Sequence, residues 1–395
     1  MVYFAFSTQE KLSLNDFECA LLSYIYAQQN QEPFFLLIDD RKSQQEESLL
    51  LDILKKFSID TNEKIYQSKN SSIYTNMALQ LLKSKKAYPC FCQENHNCNC
   101  SALLDSEVSE LKAKKKFRIK VISPKKPVRV FDFLEQQEIQ KELESFEILD
   151  ENGLASASFA KAIDTMLYNI SAIFSKNKQE SLEQNYIQTL LGFQEHPSYA
   201  HLPPLESSIT LQELLEEGFL PDAIINYIIA LHFQMAQKIF YLPDAIEHLS
   251  WDSFRKTQKQ FDKEELKRYN KEHLEQMESK KLSFIVGFAD SAIGELLKLY
   301  LKKYALLSEL QESFAKIFAP KKCDAKMQEL SKIIFEAPMI EEFEAFINYL
   351  EQKSSYTKEE IESLLYALFA LEPEISLKEA YSYLKPYLLE VAQCQ

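Results

Sequence analysis

Phe4-Ala5-Phe6-Ser7-Thr8-Gln9-Glu10-Lys11-Leu12-Ser13-Leu14-Asn15-Asp16, with Phe34-Phe35-Leu36-Leu37-Ile38-Asp39-Asp40 further on, has the layout of a nucleotide-handling strand, loop, helix and strand. Residues 2–6 and 34–38 are short apolar runs with aromatic and β-branched content, the pattern of buried parallel strands. Between them, Asn15 or Asp16 is placed to cap a helix whose apolar residues Phe17, Ala20, Leu21, Tyr24 and Ile25 recur at helical spacing. A phosphate cradle needs backbone amides that approach an anion closely, and glycine is the usual means. This stretch has no glycine and no histidine; of the 5 glycines in the chain the first is Gly153. The layout is kept while the phosphate chemistry is missing.

Working outward, helical patterns at 49–57 and 73–82 continue the alternation and predict an α/β first domain with a parallel sheet. Residues 88–133 interrupt it with a cysteine-rich knot, a basic segment and strand-like runs at 117–121 and 128–131. The chain turns helical again from about Phe159. Beyond Leu211 nearly every segment is amphipathic helix, with breaks expected at Pro221, Pro243, Pro320 and Pro373. The segments 297–318, 341–350 and 358–371 are examples.

The totals bound the function. A length of 395 residues, with 46% hydrophobic and 26% charged, suits a globular protein of two or three domains. The formal net charge of -14 gives no global attraction to nucleic acid, so DNA is not an expected partner, although one basic face can still contact RNA. No apolar run reaches the length of a membrane span and no cleavable signal opens the chain. Cys19, Cys323 and Cys394 are scattered singly, unlike a secreted disulfide framework. The cytoplasm is the expected location.

The remaining four cysteines form two Cys-x-Cys pairs, Cys90/Cys92 and Cys98/Cys100, separated by five residues. Four thiolates at such spacing suit a tetrahedral zinc, with His96 able to replace one sulfur. With all four ligating, no position remains for water, so the expected zinc is structural. The one strongly basic stretch follows directly: Lys112, Lys114, Lys115, Lys116, Arg118, Lys120, Lys125, Lys126 and Arg129. Such a run is either a solvated helix end and strand edge or a surface for a phosphate backbone.

Here the residues carry a resemblance. The chain resembles a bacterial glutamyl-tRNA synthetase, a class I aminoacyl-tRNA synthetase, over about residues 1–300. Phe4-Ala5-Phe6-Ser7 through Ala20-Leu21 lies where that family has its first strand, HIGH loop and helix. Ile38-Asp39-Asp40 lies on its Ile-Glu-Asp, and Tyr66-Gln67-Ser68 and Lys86-Ala87-Tyr88-Pro89-Cys90-Phe91-Cys92 follow its Tyr-Gln-Ser and Lys-Ala-Tyr-x-Cys-x-Cys runs. Asn152-Gly153 through Phe159-Ala160 and Ile163-Asp164, then Ala200-His201-Leu202-Pro203 and Glu216-Glu217-Gly218-Phe219-Leu220-Pro221-Asp222-Ala223 through Asn226-Tyr227, are similar to later blocks. The resemblance implies a Rossmann-like α/β catalytic domain with a small zinc-binding insert, followed by an all-α C-terminal half. The implied divisions are 1–87 for the first half of the synthetase domain and 88–135 for the zinc-knot, acceptor-binding-like insert. The second half and stem-contact-like helices then take 136–240, and an anticodon-binding-like domain 241–395.

The departures fall on the chemistry. The HIGH tetrapeptide aligns with Ser13-Leu14-Asn15-Asp16, where Asp16 adds negative charge in place of a phosphate-stabilising group, and Glu10 stands for the preceding loop glycine. The family arginine that grips the substrate carboxylate aligns with Tyr3, and the family tyrosine near the amino-acid site with Ala157. The Arg-Gly-x-x-His segment aligns with Ser175, Lys176 and Gln179. The KMSKS-type lysine loop is deleted between Leu205 and Ser208. Ser7, Asp39, Asp40 and Asp164 remain as remnants of the glutamate and ATP pocket.

The expectation is therefore a synthetase-like protein inactive in glutamate activation, with ATP binding in doubt, acting as a tRNA- or protein-binding paralogue. Its nucleic-acid patch is expected at Lys114, Lys115, Lys116, Arg118, Lys120, Lys125 and Lys126. The alternatives are an active glutamate–tRNA ligase with a rewired site, in which Lys176 or Lys178 supplies an ammonium, and a structural or regulatory partner of an active synthetase.

Overall fold

The computed structural model describes residues 1–7, 11–41, 47–92, 98–256 and 259–394. The chain divides into two compact units, Met1–Gln212 with Ile228–Phe261, and Glu213–Tyr227 with Asp262–Gln395. Thr8, Gln9, Glu10, Gln44, Gln45, Glu46 and His96 lie outside the described residues.

The first unit opens as read. β1 (Val2–Ser7) is followed by α1 (Leu14–Gln29) and β2 (Phe34–Asp39). Phe17, Ala20, Leu21, Tyr24 and Ile25 are all buried, so the helical period marks the face that packs. The cap lies two or three residues before the expected Asn15 or Asp16. Ser13 is the N-cap, with its side chain accepting from the Asp16 backbone N–H while the Asp16 carboxylate accepts from the Ser13 N–H.

Next come α2 (Glu47–Lys56), β3 (Glu63–Tyr66), α3 (Ser71–Lys83), β4 (Ala87–Cys90), α4 (Asp105–Lys114), β5 (Arg118–Val121), β6 (Val128–Asp132), β7 (Gln137–Lys141) and β8 (Glu147–Leu149). Then follow α5 (Ala157–Leu167), β9 (Ala172–Ser175), α6 (Lys178–Leu191), β10 (Ser198–His201) and β11 (Leu205–Glu206). α7 (Leu211–Glu216) and α8 (Pro221–His232) carry the chain across the division and back, and α9 (Leu242–His248) precedes β12 (Lys259–Gln260).

A seven-stranded sheet has the order β3-β2-β1-β9-β10-β6-β7. All neighbours are parallel except β6 and β7, an antiparallel hairpin at the edge. β6, read from sequence as part of the insert, thus belongs to the main sheet. The insert itself is built on a separate antiparallel sheet, β4-β5-β8. The buried face of the main sheet gathers Tyr3, Leu37, Ile65, Val130, Ile173 and Tyr199.

The second unit is helical. α10 (Lys263–Gln276), α11 (Ser279–Ile285), α12 (Ser291–Tyr300), α13 (Leu307–Phe318), α14 (Ala325–Glu336), α15 (Phe343–Lys353), α16 (Lys358–Leu368), α17 (Leu377–Leu384) and α18 (Leu388–Val391) share one core, including Leu297, Phe314, Leu330, Phe346, Ile361 and Tyr381. The segment 297–318, read as one helix, is two. The Glu309 carboxylate accepts from the Ala305 and Leu306 N–H groups and starts a new helix there, with no proline or glycine to announce it. Gly218 adopts φ +97 where an added Cβ would stand 2.5 Å from the Ser308 nitrogen, so this turn requires glycine. Cys323 and Cys394, read as single cysteines, form a disulfide with Cα atoms 5.5 Å apart.

Candidate functional site

Parallel register brings Ser7 at the end of β1 beside Asp39 at the end of β2. Beyond these strand ends lies a cavity of about 660 Å³, lined also by Asp16 from α1 and by Lys161, Glu180 and Glu183 from α5 and α6. A crevice outside the carboxyl ends of parallel strands is where such sheets take ligands. Its charge is unusual for a polyphosphate site: Asp16, Asp39, Glu180 and Glu183 face Lys161, which is paired to Glu180 at 2.8 Å. Asp39 is clamped by Arg41, whose Nε and Nη2 each donate at 2.7 Å to its two oxygens. The third arm of that guanidinium donates to the Ala155 carbonyl at 2.6 Å.

The tetrapeptide that the sequence reading aligns with HIGH, Ser13-Leu14-Asn15-Asp16, is engaged in structural contacts. Ser13 and Asp16 form the capping box that starts α1, and Leu14 is 1% exposed in the core. Asn15 holds the backbone of Leu205, donating from Nδ2 to its carbonyl at 2.9 Å and accepting from its N–H at 2.8 Å. Leu205 begins β11, and Ser13 pairs with Thr210 a few residues beyond it. Residues in this pattern stabilise backbone; they present no donor array to an anion.

The other retained positions separate. Asp164 is buried, held by Gln67 Nε2 (2.8 Å), Asn70 Nδ2 (2.9 Å) and Tyr74 Oη (2.8 Å). Burial pushes its carboxyl above the usual range, opposed by those donors. It reaches the cavity only through Gln67, which lines it. Asp40 faces Ser68, accepting from its backbone N–H at 2.9 Å. Tyr3 is buried, and burial pushes its hydroxyl far up, so it offers the cavity neither charge nor a second hydrogen-bonding arm.

Two buried polar clusters carry no local sequence signal. Glu18, fully buried on α1, pairs with Lys176 Nζ at 2.5 Å and with His232 Nε2 at 3.0 Å. His201 stands between Asp132 Oδ2 and Ser181 Oγ, each 2.9 Å from one ring nitrogen. That is a serine–histidine–aspartate arrangement, but all three side chains are buried and Ser181 is 1% exposed. It braces β6, β10 and α6 against one another. Burial alone would raise the Asp132 carboxyl, yet the His201 bond and the Glu135 and Leu134 N–H groups bring it below its usual range.

The cysteines come together. The Sγ atoms of Cys90, Cys92, Cys98 and Cys100 all lie within 4.8 Å of one another, with Cys90 to Cys98 at 3.4 Å and Cys92 to Cys100 at 3.5 Å. A zinc bound by four thiolates at about 2.3 Å sets them roughly 3.8 Å apart, so this donor set fits the metal. Arg118 fastens the knuckle to β5 through the Cys92 carbonyl (3.3 Å), and Phe91 packs on Phe117.

The basic residues differ in their surroundings. Lys114, Lys115 and Lys116 line a cavity of about 520 Å³ together with Lys112, Asp150 and Glu151. Arg118 is half-buried and paired to Glu147, and Lys125 and Lys126 stand exposed on the turn between β5 and β6. Lys120 does not belong on a contact surface: in the central strand of its sheet, between Tyr88 and Glu147, it is 4% exposed.

Parallel sheet, inserted knuckle and helical second unit together define a class I aminoacyl-tRNA synthetase, and residues 4–118 match the family model for tRNA synthetases class I (E and Q), catalytic domain. The chain is 33% identical over 427 aligned positions to glutamate–tRNA ligase 2 of Sulfurovum sp. (strain NBC37-1), covering 99% of this chain and 100% of that protein. It is 32% identical to glutamate–tRNA ligase 2 of Sulfurimonas denitrificans, covering 100% of both. It belongs to the glutamyl-tRNA synthetase family. The Sulfurovum alignment is longer than this chain, so the relative carries segments that are missing here. The fold is shared with a glutamate tRNA ligase of Elizabethkingia meningosepticum at a TM-score of 0.77 and 18% identity, covering 99% of this chain and 98% of the other.

Proposed function

We propose that this chain is a glutamyl-tRNA synthetase-like protein that does not form glutamyl-adenylate and acts instead as a tRNA-binding or protein-binding paralogue in the cytoplasm. The observation that carries the reading is the fate of Ser13-Leu14-Asn15-Asp16. A capping box, a core leucine and a backbone clamp occupy the position from which the family stabilises the triphosphate. The adjoining cavity supports it: Asp39 and Glu180 are paired to Arg41 and Lys161, and Asp16 and Glu183 leave a net negative charge that repels a polyanion rather than neutralising its developing charge. Cys90, Cys92, Cys98 and Cys100 would hold a structural zinc, and Lys114, Lys115 and Lys116 beside that knuckle are the residues for an RNA phosphate backbone.

The second reading, an active glutamate–tRNA ligase with a rewired site, is favoured by the names of the full-length relatives and by the retained Ser7, Asp39 and Asp164. Glutamate-dependent ATP–pyrophosphate exchange separates the two. A gel shift against total tRNA at low salt then tests the RNA role, and a shift abolished by Lys114→Glu with Lys116→Glu is expected. Absence of any shift reduces the role to a protein partner.

A further inference from the structure

Of the seven cysteines, Cys90, Cys92, Cys98 and Cys100 are gathered as a metal donor set, and Cys19 is buried, its thiol pushed up to about 12 by that burial. The other two, Cys323 and Cys394, are bonded to each other, and both are only partly buried. We propose that this pair is a thiol–disulfide exchange site for a dithiol reductant, and that opening it releases the segment 388–394 from α13 and α14.

The segment is otherwise weakly attached. Cys323 lies in the connection between α13 and α14, and Cys394 pairs with Lys321 of that connection in a single parallel bridge. Three hydrogen bonds add to the disulfide. The Lys321 N–H donates to the Gln393 carbonyl at 3.1 Å, Lys321 Nζ to the Val391 carbonyl at 2.8 Å, and Ser331 Oγ to the Ala392 carbonyl at 2.7 Å. Val391 and Ala392 are fully buried, in the core that also holds Ile317 of α13 and Leu330 and Ile334 of α14. α18 itself has four residues, and a single helical turn does not persist without its packing.

The charge beneath the segment favours opening. The Lys321 ammonium is held between the Ile317 and Val391 carbonyls, and burial there pushes it down to about 8. A segment that leaves returns this group to water, so closure carries a cost that the covalent bond offsets. Release is confined to the residues after Tyr387. The hydroxyl of that residue donates to Asp290 at 2.8 Å, and its ring packs on Phe288 and Phe318.

Partial exposure of both cysteines gives a reductant its path. One thiolate of the dithiol bonds to either sulfur, and the other cysteine sulfur leaves as a thiolate and takes up a proton. The second thiol then attacks the mixed disulfide and hands its proton to the departing cysteine. The protein gains two thiols, and the reductant becomes a disulfide. Reduction thereby uncovers Ile317, Leu330 and Ile334, and oxidation covers them again.

Cysteine alkylation with peptide mapping, together with amide hydrogen exchange, tests this on the full-length protein. The protein is oxidised with glutathione disulfide and then treated with dithiothreitol without denaturant. Cys323 and Cys394 should be alkylated only after dithiothreitol. Exchange of the Lys321 amide, which donates to Gln393, and of the Ala392 amide, which donates to Leu388, should rise about tenfold or more and fall back on reoxidation. The amides of β1 and β2 should stay within about twofold. Cys394→Ser should exchange fast at Lys321 and Ala392 under either reagent; the reversible change in the parent protein carries the test if that variant does not fold. Free Cys323 and Cys394 in the oxidised protein, or a bond that survives dithiothreitol, would overturn the proposal. So would a reduced protein in which these two amides exchange unchanged, or one in which exchange rises equally throughout α10 to α18.

Discussion

Asn15→Ala is the substitution that separates a structural tetrapeptide from a silent catalytic one. Asn15 makes two hydrogen bonds to the backbone of Leu205, at 2.9 and 2.8 Å, and Leu205 is 3% exposed. Removing the amide deletes both bonds and leaves a nearly buried N–H and C=O without this partner. Each bond contributes about 1 kcal/mol, and an unsatisfied buried group costs somewhat more, so the expected loss is about 2–3 kcal/mol. Ser13→Ala, which removes the N-cap, should cost about 1 kcal/mol. Trp251, the only tryptophan, reports on this unit: its Nε1 donates to Gln29 of α1 at 2.7 Å, within a cluster of Tyr26, Phe133, Phe174 and Phe233. Urea unfolding followed by its fluorescence should show a lower midpoint with an unchanged slope. Residues held for ligand chemistry are commonly replaced at no cost to stability. An Asn15→Ala protein as stable as the parent, or more so, would refute the reasoning.

Three further outcomes follow from the same structure. The Cys323–Cys394 bond closes a separation of 71 residues, so Cys394→Ser or reduction should lower the stability of the helical unit by up to about 4 kcal/mol; seven free thiols in the unreduced, unfolded, metal-free protein would contradict it. Burial holds the His273 ring down to about 4 from its ordinary 6.5, against the opposing charge of Glu272. The unfolded chain therefore binds the extra proton between these values. The stabilisation is complete above about pH 6.5 and is lost as pH falls toward 4, by about 3 kcal/mol in all. Melting of the helical unit by circular dichroism should show this slope, and His273→Gln should flatten it. Protein loaded with zinc and dialysed should retain about one zinc per chain by elemental analysis, and Cys98→Ser should lose it while Trp251 fluorescence stays unchanged; no retained metal would remove the knuckle's proposed role.

The sequence was most legible where one local signal fixed the answer. β1, α1 and β2 follow from two apolar runs and one helical period, and the four cysteines of the knuckle from their spacing alone. It was least legible where the partner lies far away. β9 and β10 are four residues each, too short to show a period, and are defined by the strands they join. β6 looked like part of the insert because its neighbour in sequence is β5, whereas its hydrogen bonds go to β10 and β7. The break between α12 and α13 depends on Glu309 reaching back to its own helix start, a side-chain choice that composition does not record. The Asp132–His201–Ser181 and Glu18–Lys176–His232 clusters assemble residues up to 214 positions apart, each unremarkable alone. Similarly, the sequence showed that Ser13-Leu14-Asn15-Asp16 contains neither histidine nor glycine, but only the structure gives the residues a structural task.

The proposed function rests on a synthetase fold kept without adenylate formation. Glutamate-dependent exchange of labelled pyrophosphate into ATP, run on the full-length, zinc-loaded protein with and without total tRNA, addresses it most directly. Exchange no greater than in a protein-free control is expected under either condition. Exchange that depends on glutamate, rises with protein concentration and is lost on Asp39→Ala would contradict it, and would assign this chain the ligase activity of its relatives.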